Sequence, residues 1–414
     1  MQNNIESNRP ARITSFGPLY YENHNLGAAE DTKTSYLLPG GDLNLNLEGE
    51  GFKIGVFDAG HVLKTHDEFQ NLSERVITGY DIGFSLNYNW HGTHVGGTIG
   101  ASGLVAEARG MAPKCTILSY DWDWAFVELV SDNFSDAYIS NHSYGLAGWR
   151  TNGNVINADY LGTYDAWASN TDEIHFARQN YLGVFSAGND GRNINPNAIY
   201  VGYDKLTDNS TAKNNLVVAN GRDIWRFTGG EYIRINDGSS QGPTNDLRIK
   251  PDITGNGTTL YSTSTASDSS YSTATGTSMS SPNVAGSLIL LQEYLFQTTG
   301  QIPLSSTIKA LIFNSASDAG DPGPDPTFGW GFLDMLKSAE IIGENINRKT
   351  IIEEKLYDSS EIEYYLKIDD GIENVSVSIC WVDPPSESLE NSLDKNQNVL
   401  INDLDLRAVS YTHL

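Results

Sequence analysis

The chain has 414 residues, long enough for a large core and for one big domain plus part of another. Its 52 Asp and Glu against 26 Lys and Arg give a formal net charge of −26, which argues against sustained binding to a phosphate backbone and removes nucleic acid from the candidate partners. Two cysteines, Cys115 and Cys380, are too few for a disulfide framework or a four-cysteine zinc site and read as buried thiols.

No apolar run approaches the roughly 20 residues of a membrane span, and the opening "MQNNIESNRP" lacks the basic region and apolar stretch of a signal peptide. The chain is therefore either cytosolic or has lost an export signal. A surface low in lysine and rich in Ser, Thr, Asn and Tyr favours an exported, extracellular protein.

In chain order, a polar lead-in over residues 1–48 precedes short β-rich runs: "FKIGVFD" (52–58), "CTILSY" (115–120), "YISNHSYG" (138–145), "LGVFSAG" (182–188) and "NLVVAN" (215–220). Helix-like stretches lie between several of them: "GTHVGGTIGASG", "WAFVELVSDNFSDA" and "TYDAWASNTDEIHFARQN". That alternation predicts an α/β fold, a mostly parallel sheet flanked by helices on both faces. Two more helices are predicted at "PNVAGSLILLQEYL" and "LSSTIKALIFNSA". From about residue 350 the runs "EIEYYLKI", "VSVSICWV" and "LDLRAVS" are strand-like with no helix between, which predicts a second, all-β unit over 350–414. It reads as incomplete: "VSYTHL" ends it without a turn, as a truncation or a non-native read-through would.

In an open parallel sheet the working residues gather at the carboxyl ends of the strands. Those ends supply Asp58 in "GVFDAGH" and Asn189 in "GVFSAGNDG", while "NYNWHGTHVGG" places His91 at a helix start and "GTSMSSPNVAG" places Ser278 at another. A serine hydroxyl is a poor nucleophile at neutral pH and needs an adjacent base. Histidine suits that role, and a buried carboxylate fixes its tautomer and stabilises the imidazolium. The oxyanion formed by attack on a carbonyl needs prearranged donors, for which the backbone N–H of Ser278 at a helix N-terminus and the side-chain NH2 of Asn189 are candidates. Pro282, near the first turn, is expected to remove no needed N–H.

The blocks "VFDAGH", "HGTHVGGTIG", "SAGNDG" and "GTSMSSPNVAG" together resemble the catalytic blocks of subtilisin-like serine peptidases, the subtilases, in the order Asp, His, Ser. "SSQGPTNDLRIKPDI" and "GWGFLDMLKSAEII" are similar to later family segments, so the catalytic domain is expected over 49–345, with 1–48 as lead-in or pro-segment remnant. "VSVSICWVDPP" and "LINDLDL" resemble the β-sandwich of the alkaline, oxidant-tolerant subtilases, which makes 350–414 a partial, jelly-roll-like unit.

Carried over by position, the resemblance implies a serine endopeptidase with Asp58, His91 and Ser278 as triad and Asn189 as oxyanion donor. Ser143, Tyr144 and Gly145 become the strand edge that pairs with the substrate backbone, and Ser186, Ala187 and Gly188 flank the pocket for the residue before the cut. "YDWDW" (120–124) reads equally as an aromatic subsite wall or as core. The implied partners are protein or peptide substrates and the implied state is a monomer. No cofactor is required for the chemistry, and structural calcium is compatible with the acidic surface, although no EF-hand-like loop locates it.

Two departures stand out: Ala59 replaces the usual small hydroxyl residue after the acid, and "DITGNGTT" stands where the family has Ala-Pro-Gly. His91 and His94 form H-x-x-H, but without the glutamate of a zinc peptidase, so His94 is expected to be a packed structural histidine. Two rival classes stay open, a catalytically silent binding module and an acyl-enzyme that passes its product to an amine.

Overall fold

The computed structural model describes residues 12–14, 17–19, 25–79, 87–150, 152–198, 200–224, 230–358, 360–366, 368, 371, 374–392 and 396–409. A short antiparallel pair, β1 (Arg12–Thr14) and β2 (Gly17–Leu19), precedes helix α1 (Asn25–Asp31). Then come β3 (Lys53–Asp58), β4 (Val76–Thr78), α2 (Trp90–Gly100), β5 (Thr116–Asp121), α3 (Ala125–Leu129), β6 (Ile139–His142), α4 (Ala166–Ala177) and β7 (Leu182–Ser186). The remainder comprises β8 (Leu216–Gly221), β9 (Ile253–Asn256), the hairpin of β10 (Leu260–Thr263) and β11 (Tyr271–Ala274), and helices α5 (Thr277–Thr299), α6 (Ser305–Ser315) and α7 (Met335–Arg348).

Seven strands form one sheet in the order β4-β5-β3-β6-β7-β8-β9, every neighbouring pair parallel. This is the expected α/β fold, and all five expected strands are in it. The strand order reverses between β3 and β6, so the crevice outside the carboxyl ends of those two strands is where a doubly wound sheet receives its ligand.

Alternation along β3 divides the core. Ile54 and Val56 pack with Val95 and Ile99 of α2 and with Val284, Leu288, Ile289 and Leu291 of α5. Phe57 faces the other layer, with Leu118, Tyr120, Leu129, Phe134, Ile174 and Tyr181. Helix α5 is buried almost all round because α2 crowds it: a Cβ on Gly286 would stand 2.9 Å from Met111 Cβ and 3.2 Å from Ile99 Cα. Residues 25–48 belong to this core as well, with Ala28, Leu37 and Leu47 fully buried and Thr34 Oγ1 2.6 Å from Ser287 Oγ on α5.

One expectation is corrected, and a second finds no counterpart among the described residues. The helix expected over "WAFVELVSDNFSDA" stops at Leu129, because the Ser131 amide and hydroxyl both fold back onto the Glu128 carbonyl (3.0 and 2.8 Å) and turn the chain. Beyond α7, the described residues form no strand or helix, so the all-β unit expected over 350–414 is not found among them. An extended run becomes a strand only when another backbone pairs with it, and Val375, Val377 and Ile379 stay half-exposed with no such pairing among the described residues. Of "VSYTHL", only Val409 lies within the described residues.

The later part of that tail docks instead. Lys213 Nζ, buried, meets Asp383 Oδ2 (2.6 Å), Ser386 Oγ (3.2 Å), the Val399 carbonyl (3.0 Å) and the Pro384 carbonyl, while Asn214 and Asp383 exchange two further hydrogen bonds of 2.8 and 2.9 Å. Leu389 and Val399 close an apolar cluster over Tyr164, Ala168 and Ala212.

Candidate active site

Asp58 is the last residue of β3 and is wholly buried; His91 is the second residue of α2, with its side chain 23% exposed. His91 Nδ1 lies 2.7 Å from Asp58 Oδ1, which also accepts the Ala59 amide at 2.8 Å. Asn89 caps the helix by accepting the His91 amide (2.8 Å), so the start of the helix fixes the ring's position. With Nδ1–H directed at the carboxylate, Nε2 is left as the basic nitrogen. Asp58 Oδ2 is buried with no hydrogen-bond partner among the described residues.

Ser278 is the second residue of α5. Its Oγ donates to the Ser143 carbonyl (3.2 Å), the residue just past β6, and Ser143 Oγ donates to the Ser278 carbonyl (2.9 Å). This reciprocal pair corrects the expectation for Pro282. The proline sits inside α5, where a donor at 282 would bond the carbonyl of residue 278. The Ser143 hydroxyl supplies the missing donor, a role that sequence spacing does not reveal. Ser278 Oγ makes no hydrogen bond to His91 among the described residues.

Asn189 Oδ1 accepts the Thr277 amide (3.0 Å) and its hydroxyl (3.2 Å), which turns Nδ2 away from that end as a free donor. A Cβ at Gly276 would stand 3.2 Å from Asn189 Oδ1, so a side chain there would press the asparagine out of its place. Thr277 carries no signal of this role in the sequence beyond its place next to Ser278, although its hydroxyl and amide are the groups that orient the asparagine.

The two expected walls behave differently. Gly145 is exposed and makes no backbone hydrogen bond among the described residues, so one edge is open. Across the crevice the Ala187 amide is spent on Val218 O (3.0 Å), the Gly188 amide on Thr277 Oγ1 (3.2 Å) and the Gly188 carbonyl on Ser240 N (3.0 Å), which leaves that wall to contribute shape. Tyr144 points inward to His142 Nδ1 (2.9 Å), and Trp122, 41% exposed, packs edge-on against it at 5.4 Å between centroids. Trp122 and Trp124 thus lie at the surface and not in the core, Trp122 beside the Ser143–Gly145 edge.

The other histidines of this region are structural. His94 is buried with Nε2 3.1 Å from both the Leu260 and Ser272 carbonyls, and burial lowers its pKa to about 4, so it is a neutral packed ring as expected. His142 is sandwiched between Phe57 and Phe185 at 4.8 and 4.2 Å, and burial holds it well below the usual imidazole range.

Known proteins with similar sequences and folds point to one family. The model of the subtilase family matches residues 49–331. An alkaline proteinase of Hapsidospora chrysogena is 28% identical over 257 residues, 59% of this chain and 52% of that protein. Subtilisin DY of Bacillus licheniformis is 24% identical over 264 residues, 63% of this chain and 84% of that protein. An extracellular serine protease of Serratia marcescens is 25% identical over 69% of this chain, a match that spans only 31% of its own length. Among solved structures, fervidolysin from Fervidobacterium pennivorans superposes with a TM-score of 0.54 at 20% identity, over 75% of this chain and 45% of that one. The chain thus spans about half the length, or less, of the Hapsidospora and Serratia proteins. With the family model covering more than half of the sequence, the chain belongs to the subtilase family.

Proposed function

We propose that the chain is a serine endopeptidase that cleaves peptide bonds through an acyl-enzyme. The observation that carries this reading is the 2.7 Å bond from His91 to a buried Asp58 at the end of β3, with Ser278 bonded to Ser143 just past the neighbouring strand β6. His91 takes the Ser278 proton as Oγ attacks the substrate carbonyl, and Asp58 holds the imidazolium that results. Asn189 Nδ2 and the Ser278 amide receive the developing oxyanion. His91 then protonates the leaving amine, and water, activated by the same ring, releases the acid product.

The substrate backbone lies along the open edge at Ser143, Tyr144 and Gly145, while Ser186, Ala187 and Gly188 bound the pocket opposite. The chemistry uses the chain's own side chains and backbone amides and calls for no cofactor. Among the described residues no three carboxylate, imidazole or thiolate groups converge, so no calcium site is assigned. No helix of the described residues is long and apolar enough to cross a membrane. A relative named as an extracellular serine protease supports a secreted protein; protein or peptide substrates follow from the peptidase reading, and a monomer completes the proposal.

The test is labelling of the purified protein with a fluorophosphonate and digestion of a peptide library, both with Ser278→Ala as control. Labelling at Ser278 and new peptide termini that carry added water are expected. Peptide cleavage that survives Ser278→Ala refutes the assignment, and products joined to an amine in place of water move the chain to a transferase.

A further inference from the structure

Residues 207–210 tie the two walls of the crevice together. Thr207 Oγ1 donates to the Leu146 carbonyl (2.8 Å), just past the Ser143–Gly145 edge, and Ser210 Oγ donates to the Ser186 carbonyl (3.1 Å), at the root of the opposite wall. Asp208 lies between these two anchors. It is only 7% exposed, its backbone is held at φ 56°, and its Oδ1 is buried with no hydrogen-bond partner. The only partner of the carboxylate among the described residues is its neighbour Asn209, through the backbone amide and a 3.5 Å contact with Nδ2. Left-handed backbone at a residue other than glycine, combined with an unsatisfied buried carboxylate, costs stability twice, and such costs concentrate where a ligand is received.

The surroundings add negative charge. Burial first, and Asp165 second, raise the Asp208 carboxyl to about 7. Asp190 stands near Thr207, its Oδ2 3.7 Å and Thr207 Cγ2 3.8 Å from where a Cβ on Gly148 would stand, but its charge is met by Asn193 Nδ2 (2.8 Å) and by the field of Lys205. Lys205, three residues before Asp208, is committed to Gln241 Oε1 (2.7 Å) and the Gly191 carbonyl.

We propose that Asp208 is the floor of the pocket for the substrate residue on the acyl side of the cut, and that it selects a cationic side chain there, lysine or arginine. An incoming ammonium or guanidinium satisfies the bare oxygen and removes the penalty of an isolated buried carboxylate. The proposal rests on the peptidase reading above, and the experiment separates the two. Peptides that differ only in the residue before the cut, carrying lysine, Nε-acetyl-lysine or leucine, are compared by kcat/KM with the unaltered chain, alongside fluorophosphonate labelling.

Lysine is expected to exceed acetyl-lysine by about ten- to a hundredfold, the scale of a charge-assisted hydrogen bond. Asp208→Asn should collapse the lysine-to-leucine ratio by a similar factor, with Asp208→Glu retaining most of it. The ratio in the unaltered chain should also climb as pH rises through about 7 and Asp208 loses its proton. The neighbours that share its field are Asp165 at the start of α4, Tyr144 beside the open edge and Tyr160. Cleavage and labelling with equal rates for lysine and acetyl-lysine would overturn the pocket assignment alone. Absence of both labelling and cleavage would overturn the peptidase reading and this proposal with it. Because the unaltered chain decides the first comparison, a misfolded variant cannot shelter the idea.

Discussion

The crevice at the carboxyl ends of the sheet and the seam where the tail docks are both built from buried charges, yet they treat those charges in opposite ways. In the seam, Lys213 Nζ meets four acceptors, and Asp383 accepts the Ile401 and Asn402 amides (2.9 and 2.7 Å) besides its lysine. In the crevice, Asp58 Oδ2 and Asp208 Oδ1 are buried with no partner. A buried polar group left short costs free energy, most of all a carboxylate. On the proposed function, the seam's charges hold the fold while the two crevice carboxylates serve a reaction and a ligand.

The contrast breaks most sharply at Ser278. Ser278→Ala should lower kcat by about 10⁶-fold, the magnitude known for removal of the serine from subtilisin. The thermal midpoint should hardly move, because the hydroxyl donates only one 3.2 Å bond, to the Ser143 carbonyl. Lys213→Ala should do the reverse. Removing one partner of a buried ion pair costs about 3–5 kcal/mol, here read as a lowered denaturation midpoint, and the triad is untouched. Replacing Lys213 and Asp383 together by apolar residues should recover part of that deficit in chemical denaturation. A double variant no more stable than the single one would show that the seam is held by its other hydrogen bonds.

Much of the crevice is legible in the sequence because its chemistry demands particular residue types at strand and helix ends. Asp58, His91, Asn189 and Ser278 carry that signal in short blocks, and the apolar runs of β3 and β5 to β8 carry the sheet. The short strands Val76–Thr78 and Ile253–Asn256 and the hairpin of Leu260–Thr263 with Tyr271–Ala274 leave no such mark, since three or four residues with polar neighbours make no periodic pattern. The tail departs from its expected strands for a related reason: alternation states a preference for extended backbone and says nothing about whether a second strand is present to pair with it. Asp208 and Lys213 are invisible in the sequence because burial of a charge depends on contacts across the fold, between residues 170 apart in the case of Lys213 and Asp383.

A smaller effect is expected at the oxyanion site. Asn189→Leu removes the free Nδ2 and should reduce kcat by about 10² to 10³, a figure taken from subtilisin itself, with KM for a good peptide nearly unchanged. Thr277→Val removes only one of the two bonds that orient the amide, at 3.2 Å, while the backbone bond at 3.0 Å stays. Its effect on kcat should therefore be smaller than that of Asn189→Leu, and an equal effect would show that the hydroxyl sets the donor's position by itself.

The smallest effect tests the most local claim, that Ser143 stands in for the N–H that Pro282 lacks. Ser143→Ala leaves the Ser278 carbonyl without its 2.9 Å donor in a half-buried place, which should cost about 1–3 kcal/mol of stability. Pro282→Ala returns a backbone N–H one turn along the same helix, aimed at that carbonyl. In the Pro282→Ala background the cost of Ser143→Ala should therefore shrink by about 1 kcal/mol, the coupling expected of two groups that share one acceptor. Additive costs in the double-mutant cycle, read from denaturant midpoints, would mean that the serine pair aligns α5 against β6 for some reason other than the carbonyl left open by the proline.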